Sequence, residues 1–383
     1  MSTARAIRRA GAALLGAWAC ASSQAHDDEA AAAARLPRRI ALLARAQGEL
    51  ERGDAAQALD DFERAAMMLH AADAELGLIR AAMQDGQYRR ALAFCAHTAG
   101  EHTDAADGAA LYAWLLRIGG QDELAARTLA EARARMPGDP VAAAVSTAFT
   151  EHPAVATGVL LQASHRMAPW PVTGDAQASP PASARLAGNG TLLDDGATAL
   201  VPLAGLKAGA GALVWVRNGL GQATEATVDP APPALAAHGL ARLRLRTALS
   251  AGTPRESAAR TPYAGSPGYA LAYGPAPGPA WPALTQGFLG SAKGDAGERR
   301  LGFGSAPGAP VFDATGALIG VVLDAGDAPS TWLPASTWAP PSAPASPPAA
   351  AAQAPRALAL AAPGDIYEVG LRRALQVLVD RGP

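Results

Sequence analysis

The period of the apolar positions changes twice along the chain. From about residue 35 to 140 they recur every three to four residues, the spacing of amphipathic helices that share a buried side. Residues 140–166 continue in this manner and predict one or two helices that cap the stack. The stretch 167–185 is rich in Pro, Ala and Ser and reads as a linker. Beyond it come short apolar runs broken by Gly and Pro, among them "GALVWVRNG", "ARLRLR", "GYALAYG" and "APVFDATGALIGVVLD". Regularly spaced short strands of this kind predict an all-β sandwich or barrel over 186–335. A second Pro- and Ala-rich stretch, 336–363, is expected to be extended. The tail, 364–383, regains order. Its Ile366, Leu371, Ala374, Leu375 and Leu378 fall at helical spacing and read as an amphipathic helix docked on the body.

Three segments of the helical region superpose, and their glycines Gly53, Gly86 and Gly120 stand 33 and 34 residues apart. Five residues after each glycine comes an alanine (Ala58, Ala91, Ala125), small enough to let two helices approach. Four further on a larger residue follows (Phe62, Cys95, Leu129). Ala65 and Ala132 hold the next small position, Thr98 departs from it, and Pro137 closes the third segment. This pattern resembles tetratricopeptide repeats over residues 35–166. The resemblance implies an α-solenoid whose stacked repeats share one core and whose groove holds a peptide or partner protein. A solenoid that merely packs on the next domain fits the same pattern.

The order of motifs after residue 186 resembles the trypsin-like domain of Deg-type (high-temperature-requirement) serine proteases. "GNGTLLDDGATALVPLAGL" is similar to the family's opening, "GSPGYALAYGPAPG" with "LTQGFLGS" to the strands ahead of its nucleophile loop, and "APGAPVFDATGALIGVV" to the nucleophile turn with its closing strand. The fold so implied is a double β-barrel, making the whole a multidomain α plus all-β protein. The chemistry departs from the family. A serine hydrolase needs a hydroxyl, an imidazole to take its proton and a carboxylate to orient the imidazole. The positions the resemblance assigns to His, Asp and Ser carry Ala204, Gly239 and Pro307. Ser305 lies two residues before the nucleophile position, and His238 is the one histidine between 166 and 383. Pro307 also lacks the N–H that an oxyanion hole would use. The resemblance therefore implies a pseudoprotease that binds without turning over; the alternatives are a serine endopeptidase with relocated residues and a repeat adaptor with a purely structural barrel. The tail "IYEVGLRRALQVLV" is similar to the helix-then-strand that opens a Deg-type domain. It thus offers a second reading, as that element in permuted order or as the vestige of a second domain.

The remaining chemistry is sparse. Asp194 and Asp195 before Gly196, and Asp313 in "DATG", are residue types that serve turns for backbone reasons, and general acid–base use is not expected of them or of Asp324. His70, His97 and His102 lack the sequence spacing of a metal site and read as solvated or capping residues, so no metal and no cofactor is expected. The 32 Lys plus Arg nearly cancel the 34 Asp plus Glu, and no basic block is long enough to engage phosphates, which excludes nucleic acid as a partner. Arg5, Arg8 and Arg9 precede an apolar run from Ala10 to Ala21, too short to span a bilayer, so residues 1–25 read as an export signal and the protein as periplasmic or secreted, without an integral membrane span. Cys20 admits a lipid anchor as a minority reading. Cleavage would leave Cys95 alone, excluding an intramolecular disulfide and a cysteine metal cluster.

Overall fold

A computed structural model describes residues 35–150, 179–206, 213–254, 262–274, 281–292, 297–323, 330–338 and 359–380. The export signal, Cys20, most of the linker, Asp324 and most of 336–363 lie outside the described residues. A helical region comes first: α1 (35–52), α2 (Ala55–Met68), α3 (Ala72–Gln84), α4 (Tyr88–Glu101), α5 (Ala106–Ile118), α6 (Asp122–Arg135) and α7 (Pro140–Ala148). Consecutive helices pack on one another. The repeating glycines close α1–α2, α3–α4 and α5–α6 with one turn geometry. Gly53, Gly86 and Gly120 have φ of +86°, +72° and +79°, a conformation that costs other residues roughly 1–2 kcal/mol. Each time the following residue donates its N–H to the carbonyl five positions back: Asp54 to Glu49, Gln87 to Ala82, Gln121 to Leu116. Ala58, Ala91 and Ala125 are fully buried, as their spacing predicts.

Two closed antiparallel barrels of six strands follow. The first contains β1 (Arg185–Leu192), β2 (Thr198–Pro202), β3 (Leu213–Asn218), β4 (Ala223–Asp229) and β5 (Leu240–Leu245), with the short helix α8 (Pro233–Ala236) before β5. The second contains β6 (Pro267–Ala272), β7 (Ala283–Ala292), β8 (Arg299–Leu301), β9 (Pro310–Asp313), β10 (Leu318–Leu323) and β11 (Thr331–Pro334). Each barrel has its own core, and Leu200, Leu235, Leu240, Val321, Leu323 and Leu333 join them in a shared apolar layer.

The tail supplies the sixth strand of the first barrel. Residues 364–383 do not form one docked helix: helix α9 (Pro363–Arg373) ends at Arg373 and strand β12 (Ala374–Asp380) begins at once. β12 pairs with β1 on one side (Arg185↔Val379 through Thr191↔Ala374) and with β3 on the other (Leu375↔Asn218 through Asp380↔Leu213). Ala374 to Val379 are all buried, with Gln376 the one polar residue among them, and the Leu371, Ala374, Leu375, Leu378 spacing imitates a helix face. The two rings then share one order. The second barrel closes as β6-β7-β8-β11-β10-β9, and the first as β12-β1-β2-β5-β4-β3. With β12 counted first, both are the same Greek key, and the first barrel is its circular permutation. The tail is therefore part of this barrel and not a separate domain.

Helix α9 binds the three parts together. Its Ile366, Tyr367 and Leu371 are fully buried, each contributing about 1.5–3 kcal/mol of apolar burial before entropic costs. Tyr367 stacks 4.4 Å from Tyr88 of α4 and 6.0 Å from Trp281 beside β7, while Trp281 lies 6.1 Å from Trp114 of α5. Such aromatic pairs add about 0.5–1.5 kcal/mol each to their burial. The Tyr367 hydroxyl donates to the Pro282 carbonyl at 2.5 Å, and the Tyr88 hydroxyl to that of Leu115 at 3.1 Å. Arg89 closes the exposed rim by pairing with Asp365 and Glu368. Moving residues 359–380 to a position directly before Arg185, with a short turn joining β12 to β1, should preserve the far-ultraviolet circular dichroism and melt within a few degrees of the native chain; loss of the β signal would refute the permuted ring.

Candidate functional site

The turns that carry Ala204, Gly239 and Pro307 meet where the two barrels touch. Ala204 is exposed in a single 3-10 turn, Leu203–Leu206, that directly follows β2. Gly239 (φ +68°) ends the α8 turn before β5, and its carbonyl accepts the N–H of Leu203 at 2.8 Å. Pro307 lies in the turn before β9. The next residue, Gly308, has φ +86°, and its carbonyl accepts the Thr191 hydroxyl of β1 at 2.8 Å. A Cβ on Gly308 would stand 2.1 Å from the Asn189 carbonyl and 2.7 Å from Pro202, so the turn is pressed against the end of β2. The backbone N–H groups here are engaged within the fold: Gly308 donates to Val322 and Ala309 to Ala306.

His238 does not turn toward a hydroxyl. Its Nδ1 lies 3.0 Å from Glu298 Oε1 in a nearly buried pair that links the α8 turn to the strand β8 region. Among the described residues no serine hydrogen-bonds to it. Ser305 points elsewhere. Its hydroxyl is buried without a hydrogen-bond partner among the described residues, and it lines a cavity of about 450 Å³ together with Arg117, Asp122, Leu284 and Gln286. This cavity lies between the α5–α6 turn and the second barrel, with the nucleophile-like turn forming one wall. It is the size of a site for a small ligand or a few peptide side chains.

The acidic residues serve turns and pairs. Asp195 accepts the N–H groups of Ala197 and Thr198 and the Thr198 hydroxyl at 2.6 Å. Burial raises its pKa, but these hydrogen bonds outweigh it and hold the carboxyl below the usual aspartate range. Asp313 accepts the Thr315 and Ala317 N–H groups in the same way, and Asp194 pairs with Arg373 at 2.8 Å. Cys95 is buried and free, with its thiol pKa raised by desolvation.

Three histidines without ligand spacing in the sequence share one neighbour. His70 in the α2–α3 loop, His97 on α4 and His102 just after α4 converge on the buried Glu75 of α3. The signal that marks them is Thr98, the departure from the small residue of the sister repeats. It is fully buried and donates its hydroxyl to Glu75 Oε2 at 2.6 Å. Sequence reasoning passed over both Glu75 and this role of Thr98.

No protein-family model matches the chain, and no curated protein matches it. Among the described residues no helix is long and apolar enough to cross a membrane. At the barrel seam, Gly308→Ala should cost about 2–5 kcal/mol, adding left-handed strain of roughly 1–2 to overpacking of roughly 1–3. A fall in the urea midpoint at unchanged m-value checks this, whereas Pro307→Ser should leave the midpoint nearly unmoved.

Proposed function

We propose that the chain is an exported, non-catalytic homologue of trypsin-like proteases that acts as a binding or scaffold protein of the cell envelope, with tetratricopeptide-type repeats for a protein partner. One observation carries the reading. At the seam of a double β-barrel, the positions that the resemblance equates with imidazole, carboxylate and hydroxyl hold a methyl group, a hydrogen and a pyrrolidine ring. Such a set has no proton acceptor and no nucleophile, so a retained cleft yields binding without turnover. The Nδ1 of His238 faces Glu298, but no serine among the described residues hydrogen-bonds to the ring, so a relocated triad lacks its nucleophile.

The common strand order of the two barrels supports the protease-like reading of the fold, and the repeated Gly turns support the repeat reading of the helices. Fold alone does not establish chemistry, so the reading rests on side chains at the seam. The cavity beside Ser305 is the place for a peptide, because it joins helical and barrel surfaces around an unpartnered buried hydroxyl. A fluorophosphonate probe should leave the folded protein unlabelled, and fluorescent peptides that bind it should remain uncleaved. Ser305→Trp, which fills the cavity, should weaken that binding by about tenfold or more, equivalent to at least about 1.4 kcal/mol. Labelling that disappears on mutating one serine would establish an active hydrolase instead. Peptide binding untouched by Ser305→Trp would assign recognition to the helices and leave the barrel a structural role.

A further inference from the structure

The Glu75 grouping is built from three separate elements and has a donor set suited to one kind of ligand. His70 Nε2 lies 2.6 Å from Glu75 Oε1 and 3.0 Å from His97 Nε2, and His97 Nε2 lies 3.3 Å from the same carboxylate oxygen. His102 Nε2 lies 3.5 Å from Glu75 Oε2. All three imidazoles thus present the same nitrogen to one carboxylate. Ligand atoms of His70, Glu75 and His102 fall within 4.8 Å of one another. A tetrahedral ion with bonds of about 2.0–2.1 Å spaces its ligand atoms about 3.3 Å apart, and the measured separations bracket that value.

Hydrogen bonding alone leaves this cluster incomplete. A neutral imidazole carries one N–H, so His70 Nε2 can donate to Glu75 or to His97 but serves both poorly. His102 Nε2 is buried without a hydrogen-bond partner among the described residues. Glu75 is buried, and besides facing the histidines it accepts the Thr98 hydroxyl. A buried carboxylate facing three imidazole nitrogens is short of a positive charge that a cation at their centre would supply.

We propose that His70, His102 and Glu75 bind a divalent transition-metal ion of the zinc class, with His97 beside them as a further donor. Nitrogen-rich ligation favours Zn²⁺ and its neighbours over Mg²⁺ or Ca²⁺, which prefer oxygen. Thr98 is a positioning residue: its hydroxyl fixes the carboxylate oxygen that faces His102, as outer hydrogen bonds orient ligands elsewhere. The ion fastens the α2–α3 loop to the end of α4, the edge of the helical stack remote in sequence from the barrels. His70 and His97 are about half exposed, which gives it a path of entry.

Calorimetric titration of the full chain with Zn²⁺ after treatment with chelator tests the site. The expected result is one ion per chain, a higher melting temperature with Zn²⁺, and with Co²⁺ the intense visible absorption of a four-coordinate centre. His102→Ala should weaken binding by more than about 100-fold, and Thr98→Val, which keeps the shape of the buried side chain, by about 10–100-fold. Circular dichroism identifies a variant that has lost its fold, and the wild-type titration stands independently of either variant. Absence of saturable binding would overturn the proposal. So would binding that His102→Ala leaves unchanged, since the ion would then sit on other histidines of the chain, such as His26, His152 or His165.

Discussion

The first barrel cannot close without the last strand of the chain, and this constraint orders everything else. β12 fills the gap between β1 and β3, so the backbone groups along the edges of both strands depend on it for their partners. Arg217 on β3 hydrogen-bonds Gln376 on β12 across 159 residues of sequence, both of them buried. Burial pushes the Arg217 guanidinium down to about 10, a measure of how dry the joint is. The helix that delivers the strand is equally committed. Gly370 passes so close to Leu271 of β6 that a Cβ would stand 2.3 Å from its methyl, and the Gly219 N–H donates to the Leu371 carbonyl at 2.7 Å.

Because α9 lies between α4 and both barrels, the helical region and the second barrel share one core instead of meeting as separate modules. The same apolar cluster includes Trp114 of α5, Trp281 and Phe312 of the second barrel, and Ile366 and Tyr367 of α9. Contacts of such sequence separation slow folding, since loop closure must precede the stabilising burial. Barrel closure waits for β12. The helical hairpins carry no such delay, because their turns and packing are local.

The parts legible in the sequence are those where backbone geometry leaves few residue choices. Gly53, Gly86 and Gly120 could be read because a positive φ selects glycine, and the small Ala58, Ala91 and Ala125 because helix contact selects against bulk. The strands of the second barrel were marked by their turns in the same way. Periodicity concealed β12, because a strand buried on both faces has no alternation and its residues run on from those of α9; the likeness of "IYEVGLRRALQVLV" to a helix-then-strand was the trace it left. The sixth strand of the first barrel lies outside 186–335 because it comes after the Pro-rich stretch. At the seam, Ala204, Gly239 and Pro307 were located by motif order, and the structure brings their turns together. The Glu75 grouping was hidden because its members come from a loop, two helices and a helix end, so no fixed spacing announces it. Thr98 was its one trace.

The turn at Pro307 separates two demands that one short segment can carry. Its geometry is needed for packing: the Gly308 main chain fits against Asn189 and Pro202, and Thr191 reaches across to hold its carbonyl. Asn189 in turn accepts the Tyr273 N–H at 2.6 Å, and the Tyr273 hydroxyl donates to Ala374 at the start of β12. The turn is therefore wired, through β1, to the strand that closes the barrel. Hydrolytic chemistry would place a different requirement on it, a hydroxyl with a neighbouring base, and that requirement contributes nothing to this packing. Proline satisfies the first demand and fails the second. The shape of this turn is thus held by the joint between the barrels, through Gly308, Asn189, Pro202 and Thr191.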